Sequence, residues 1–223
     1  QEDPNISECV NEELKTFFPT FRDGQKEFGV PPLDPYYVPK QKLTFKILDA
    51  IEGFVQLRDF KVYGVSASNF HKTITRITED GVSFETSLTV PHIYVDGKYK
   101  AGIKINDFKM TPKGYFNMTM TNAHVEATTS GKFRRINGVK HVIMDTFDVQ
   151  DFTADIKVYA SSLLLDPEQN NILLEVANRY IPEALRFGIP ATRSQWAPIV
   201  LQSINEFLSS VPFDNLISKR IYE

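Results

Sequence analysis

The chain has 223 residues, of which 42% are hydrophobic, and its 25 basic and 28 acidic residues leave a formal net charge of −3. No run of Lys and Arg exceeds two residues, which argues against nucleic acid as a partner. No apolar run approaches the ~18 residues of a transmembrane helix, so stable membrane insertion is not expected. This length can bury a sizeable core, and we expect one domain over residues 1–223. The polar start at Gln1 predicts that any secretion signal has already been removed.

A first helix is predicted from Ser7 to Phe21. Its apolar residues recur at helical spacing on one face, and Asn5 or Ser7 could cap its start. These apolar residues are Val10, Leu14, Phe17, Phe18 and Phe21. The segment Gly29–Pro35 then carries three prolines, which cannot continue a helix. It is predicted to be a stiff corner that leads the chain from helix into sheet.

Between Lys42 and Ala160 apolar and polar residues alternate, which is typical of antiparallel strands with one dry face. The alternating apolar residues include Leu43, Phe45, Ile47, Val82, Phe84, Leu88, Val90, Phe116, Met118, Met120, Phe152, Ala154, Ile156 and Val158. Two glycosylation sequons, at Asn5 and Asn117, indicate a secreted protein. If Asn117 is glycosylated, its face of the strand must be outside, and Phe116, Met118 and Met120 then point inward.

Five Xaa-Gly pairs lie between these apolar runs and predict hairpin turns. The stronger three are Asp80-Gly81, Asp96-Gly97 and Asn137-Gly138, and the weaker two are Lys113-Gly114 and Ser130-Gly131. A long strand from Gly114 to Thr129 is interrupted at Asn122, which predicts a β-bulge and strong curvature there.

After Leu165 the periodicity becomes helical again. One helix begins at Asp166-Pro167, with an apolar side formed by Ile172, Leu173, Val176, Tyr180 and Ile181, and Pro182 and Pro190 are expected to kink or break it. A last helix, from Ser194 to Val211, is apolar around most of its circumference and is therefore expected to be buried. The predicted fold class is α+β, with a long curved antiparallel sheet wrapped around the C-terminal helix and a short N-terminal helix.

Segments typical of one protein family lie between about Cys9 and Ile217: Gly29–Pro35, Val62-Tyr63-Gly64, Val90-Pro91 with Gly97-Lys98-Tyr99, Gly114–Thr121 and Val211-Pro212-Phe213-Asp214. Together they resemble the insect takeout and juvenile hormone binding protein family. The resemblance implies a sheet rolled around a helix, related to lipid-transfer (TULIP-type) domains, with an apolar tunnel between them. It also implies two N-terminal cysteines in a disulfide, of which this chain has the second, Cys9, and no partner in residues 1–8.

No catalytic or metal-binding pattern accompanies this resemblance. The four histidines, His71, His92, His124 and His141, lack metal-ligand spacing. Gly64-Val65-Ser66-Ala67-Ser68 lacks the second glycine of a nucleophile elbow. We therefore expect no enzyme, no cofactor and no metal; a secreted hydrolase ranks third among the functional hypotheses.

The first hypothesis is a secreted carrier, in a haemolymph-like fluid, of a juvenile-hormone-like terpenoid, another isoprenoid such as a carotenoid, or a fatty acid. The predicted ligand-binding residues are Phe45, Phe84, Leu88, Phe116, Met118, Met120, Phe152, Trp196, Val200, Ile204 and Phe207. Tyr36, Tyr37 and Tyr63 are candidates to orient a ligand head group. The alternative is an extracellular interaction or signalling protein with a filled core and no ligand, and a protein receptor is conceivable for either.

Overall fold

The computed structural model describes residues 4–47 and 51–217, so residues 1–3, 48–50 and 218–223 of the predicted domain lie outside it. The helices are α1 (Pro4–Phe17), α2 (Pro167–Ala191), α3 (Arg193–Ser210) and α4 (Phe213–Ile217). The strands are β1 (Tyr36–Ile47), β2 (Ile51–Tyr63), β3 (Asn69–Ile77), β4 (Gly81–Ile105), β5 (Phe108–Met110), β6 (Lys113–Ile136) and β7 (Val139–Ala160). Short 3-10 helices lie at Phe18–Phe21, Lys26–Phe28 and Val65–Ala67.

All seven strands form one antiparallel sheet in the order β1-β2-β4-β6-β7, with β3 and β5 also paired to β4. α1 lies on β3, and α2 and α3 both lie on β7. The sheet is curled, and α3 is connected by side chains to both of its outer strands, β1 and β7. The predicted α+β class is confirmed.

In the middle of β4, the residues on the dry face change from even to odd sequence numbers. Val82 and Val90 are buried at even positions, whereas Ile93 and Val95 are buried at odd positions beyond Pro91. On the neighbouring strand β6, the register with β7 shifts between Thr121 and His124, and Asn122 has a φ of 51°. The bulge predicted at Asn122 is therefore confirmed, and it keeps one apolar face continuous along two very long bent strands.

Two of the five predicted hairpins are confirmed. Asp80-Gly81 leads from β3 into β4, and Asn137-Gly138 joins β6 to β7 with φ values of 52° and 85°. The other three are wrong: Asp96-Gly97, Lys113-Gly114 and Ser130-Gly131 lie within strands or at a strand start. Close packing explains Gly97, because a Cβ there would lie 2.6 Å from the Cβ of Phe60.

α1 begins at Pro4, earlier than predicted, and it ends at Phe17, before the 3-10 turn that holds Phe18 and Phe21. The predicted caps Asn5 and Ser7 therefore lie inside the helix. The Ser7 hydroxyl instead accepts the backbone N–H of Thr75 on β3 at 2.9 Å. This bond fastens α1 to the sheet edge.

The proline-rich corner does more than turn the chain into β1. The Asp34 carboxylate accepts the backbone N–H groups of Gly64, Val65 (3.0 Å) and Ser66 (2.9 Å), and also the Ser66 hydroxyl. These groups belong to the tight turn between β2 and β3. The corner thus joins two distant parts of the sheet through one side chain, and Ser66 serves structure rather than nucleophilic chemistry.

The C-terminal helices differ from expectation in three respects. α2 is one helix that contains both Pro182 and Pro190, so neither proline breaks it, and a kink at either stays a prediction. Its sheet-facing residues are Asn170, Leu174 and Asn178, whereas Ile172 of the predicted apolar side is 58% exposed. α3 is less buried than its composition suggests, with Ala197 its one fully buried residue. Within the described part of the chain, no helix is both long and apolar enough to cross a membrane.

Amide side chains connect these helices to the free edges of the sheet. Each of two asparagines hydrogen-bonds both the N–H and the C=O of one residue on β7. Asn178 bonds Val158 and Asn205 bonds Met144, at distances of 2.7 to 2.9 Å. Gln195 does the same to Thr44 on β1, at 2.7 and 3.0 Å. An amide can replace a neighbouring strand in this way because it offers one donor and one acceptor. α3 therefore closes the gap between β1 and β7.

Removing one of these amides should weaken the closure measurably. In the Asn205→Ala variant, the N–H and C=O of Met144 lose their partners beside a buried cluster, so we expect the free energy of unfolding to fall by about 2 kcal/mol. Denaturant unfolding measures this change. Asn215→Ala, at an exposed position, is the control and should cost less than about 0.5 kcal/mol. Equal effects of the two substitutions would contradict this role of Asn205.

Candidate functional site

The candidate site is the concave inner face of the sheet together with α3. Three cross-strand rows of β4, β6 and β7 form its centre: Gly97–Phe116–Ala160, Val95–Met118–Val158 and Ile93–Met120–Ile156. Side chains in one row share a face because directly paired residues point the same way. Leu88 and Phe152 continue this face beyond the bulge, and they pack into the same apolar cluster as Met118 and Met120.

One end of the inner face is covered by the C-terminal half of α3. Phe84 and Ile204 pack there on Val82, Met144 and Phe213. Further along α3, the Phe207 ring meets the rings of Phe21 and Phe28 at centroid distances of 5.3 and 5.9 Å. Phe207 thus closes this end with the N-terminal segment rather than lining an open space.

Trp196 and Val200 lie nearer the start of α3. The Trp196 ring packs edge-on against Phe147 of β7 at 6.0 Å, and its indole N–H donates to the backbone oxygen of Ile189 at 2.9 Å. Val200 is half-buried. The Trp196 ring therefore belongs to the closure between α3 and the sheet.

Phe45 lies at a different place, near the far end of β1. With Gly53 and Ile103 it lines an open cleft of about 400 Å³. Charged residues border this cleft, among them Lys46, Glu52, Lys104 and Lys109. The cleft thus has an apolar floor and a charged rim.

Five large apolar side chains of the inner face are only half-buried. Phe84, Phe116, Met118, Met120 and Phe152 all retain solvent-accessible surface, whereas Ile93, Val95 and Ile156 beside them are buried. Side chains at the centre of a core packed to ordinary density would retain little accessible surface. This face therefore offers accessible apolar surface.

Of the three candidate tyrosines, Tyr36 alone lies on this side. Its hydroxyl hydrogen-bonds the Ser203 hydroxyl of α3 at 2.8 Å. Tyr37 is exposed and donates to Asp59, a bond that raises the pKa of the Tyr37 phenol, and Tyr63 stacks on Tyr94. Tyr99, which the sequence analysis did not propose, lies on the inner face and donates to Ser161 O at 2.7 Å; burial raises its pKa.

The sequon residues lie away from the inner face. Asn117 is paired with Asp96 and Tyr159 on the opposite face from Met118, as glycosylation requires. Asn5 is exposed on α1. Glycosylation itself remains a prediction at both sites.

Chemistry-bearing residues show no constellation in the described ranges: no three His, Cys, Asp or Glu side chains are grouped as metal ligands. Cys9 is a half-buried free thiol on α1. His71 and His124 lie near each other on the sheet and both hydrogen-bond the Thr89 hydroxyl, at 2.8 and 3.3 Å.

The fold and this accessible face define a class of protein in which a helix closes a curled sheet over an apolar interior. Residues 1–218 match the family model for haemolymph juvenile hormone binding protein (JHBP). The chain belongs to this family. No curated protein sequence matches it significantly.

Among solved structures, the chain is similar to Takeout 1 of Epiphyas postvittana, with a TM-score of 0.74, 21% sequence identity and coverage of 94% of each chain. A weaker likeness, with a TM-score of 0.38 and 14% identity, is to lipopolysaccharide binding protein, over 92% of this chain and 38% of that one. The takeout match confirms the fold, and the family supports binding of a small hydrophobic ligand as the kind of function.

The sequence analysis missed several residues of the inner face. Ile93 and Val95 complete its central rows, and their alternation after Pro91 was the available signal. The role of the amides Gln195 and Asn205 could not be predicted from sequence. A polar residue on an apolar helix is known to hydrogen-bond an edge strand only when the position of that strand is known.

Proposed function

We propose that this protein is a secreted carrier that holds one small hydrophobic ligand between the inner face and α3. The observation that carries the proposal is the half-burial of large apolar side chains on a face that is turned away from the outer surface. An elongated apolar molecule would cover this accessible apolar surface. Family membership supports the same reading.

The proposed contacts fall into two groups. Leu88, Phe116, Met118, Met120 and Phe152 lie together in the central cluster, and we assign them the main contacts with the ligand. We propose additional contacts at the ends of the interior and along α3 for the remaining predicted residues, which are Phe45, Phe84, Trp196, Val200, Ile204 and Phe207. Methionines suit such a site because their flexible side chains adapt to different ligand shapes.

Apolar burial alone can supply useful affinity. Covering ~400 Å² of ligand surface gains on the order of 10 kcal/mol, and association and ordering remove several kcal/mol of it. The remaining free energy corresponds to micromolar to nanomolar binding without an ion pair. Terpenoids, carotenoids and fatty acids all fit this requirement. A single polar group, such as the Tyr36 hydroxyl bonded to Ser203, would suffice to orient a head group.

A displacement assay tests the proposal. The neutral fluorophore N-phenyl-1-naphthylamine is titrated into the protein, and farnesol or oleic acid is then added as competitor. A carrier takes up about one fluorophore and releases it to the competitor. Absence of uptake, together with no binding of either competitor, would support the filled-core interaction protein instead. Turnover of an ester panel would indicate the hydrolase.

A further inference from the structure

The outer face of the sheet carries a dense field of basic side chains, which we call the basic face. On β1 and β4 the lysines have the same spacing, Lys40-Lys42-Lys46 and Lys98-Lys100-Lys104. Strand pairing brings these two sets into three cross-strand rows. The rows are Lys40–Arg58–Lys98, Lys42–Gln56–Lys100–Lys113 and Lys46–Glu52–Lys104–Lys109.

These nine basic side chains all lie in exposed positions. In the described ranges, Glu52 contacts Lys104 at 3.1 Å and Asp59 contacts Lys98 at 3.2 Å, and Asp96 is paired with Lys61 beside the first row. Asp107 lies in the neighbouring turn between β4 and β5. Acidic partners are thus fewer than basic groups on this face, although the whole chain has a net charge of −3.

Repulsion among these basic side chains lowers the stability of the folded protein. Like charges placed directly opposite each other on neighbouring strands are destabilising, and Lys40–Arg58, Arg58–Lys98 and Lys100–Lys113 are pairs of this kind. An anionic surface would relieve this repulsion. We propose that the basic face docks the protein reversibly on membranes that contain anionic lipids.

The shape of the basic face favours a membrane over a linear polyanion. It extends across four strands and along about seven residues of each, which is a two-dimensional area of ~15 by ~20 Å rather than a groove. An exposed aromatic side chain lies on it: Tyr115, which is paired with Lys98, is 64% exposed. Aromatic rings of this kind favour the lipid–water interface, and lysine stems extend their charge to the head groups.

The basic face adjoins the cleft at Phe45, and this links membrane docking to ligand transfer. Lys46, Lys104 and Lys109 belong to the third row and also border that cleft. A membrane bound here would lie against this cleft, and if the cleft is the ligand's entrance, the ligand would pass between bilayer and interior without crossing water. This link to transfer rests on the proposed carrier function, whereas the docking does not.

Vesicle co-sedimentation tests the docking without any carried ligand. The native protein should bind vesicles with about one-third phosphatidylserine and not pure phosphatidylcholine, and salt at about 1 M should release it because the Debye length falls to ~3 Å. The patch variant is Lys42→Gln, Lys100→Gln and Lys113→Gln. With roughly 1 kcal/mol per surface lysine, its affinity for the anionic vesicles should fall about 100-fold at low salt.

The matched control neutralises three exposed lysines elsewhere, in Lys26→Gln, Lys72→Gln and Lys132→Gln, so both variants change the net charge equally. Far-UV circular dichroism and denaturant unfolding verify that both are folded. An equal loss of affinity for anionic vesicles in the two variants would overturn the proposal, as would no binding of the native protein to these vesicles. So would patch-dependent binding to heparin without binding to vesicles, which would assign the face to a soluble polyanion.

Discussion

Replacing Asp34 with alanine should lower the free energy of unfolding by about 3 kcal/mol, the largest loss of stability that we expect from a single side chain outside the apolar clusters. The variant leaves three backbone N–H groups, of Gly64, Val65 and Ser66, without their acceptor. Each unsatisfied donor that is shielded from water costs about 1–3 kcal/mol, and partial solvation at this turn reduces the sum. Denaturant unfolding of native protein and variant measures the difference.

Two further substitutions separate the contributions at this corner. Asp34→Asn keeps one acceptor oxygen and should lose about half as much stability. Ser66→Ala removes only the hydroxyl donor and should cost about 1 kcal/mol. If all three variants unfold at the same denaturant concentration as the native protein, the corner does not depend on this carboxylate.

Replacing Met120 with tryptophan should weaken ligand binding about 70-fold while leaving the fold almost as stable as before. Met120 is half-buried in the central row, between Ile93 and Ile156. A larger ring in an unfilled interior would occupy ligand space. Excluding about 100 Å² of ligand contact costs about 2.5 kcal/mol of binding free energy, which corresponds to this factor.

The same substitution discriminates between a hollow and a filled interior. In a filled core, the extra volume of tryptophan would cost about 1–3 kcal/mol of stability. Thr121→Trp, on the same strand but the other face, is the matched control and should leave ligand affinity unchanged. A strongly destabilised Met120→Trp protein that also binds no fluorophore would contradict the carrier proposal.

The fold class was predictable because its signals are local. Period-two alternation marked the strands, and the broad apolar stripe of residues 194–211 marked α3, which runs Arg193–Ser210. The interruption of a long alternating strand at Asn122 predicted the bulge. The three wrong hairpins show the limit: at Gly97 the glycine is required by the nearby Phe60, a contact made across the sheet and absent from the local sequence.

The site was less accessible to sequence reasoning. The inward Phe116–Met118–Met120 ladder followed from alternation and from the sequon at Asn117, because these fix the two faces of one strand. Phe207 was harder to place, since its neighbours Phe21 and Phe28 come from the opposite end of the chain. The basic face was invisible to a search for charge runs, because its lysines are separated along each strand and meet only across strands.

The most direct test of the central claim is organic extraction of the purified protein, followed by mass spectrometry and an absorbance scan of the extract. The carrier account predicts an apolar molecule at about one per protein chain, with visible absorbance if that molecule is a carotenoid. An empty extract, from protein that also takes up no added terpenoid or fatty acid, would contradict the account and favour a protein that acts through its surface.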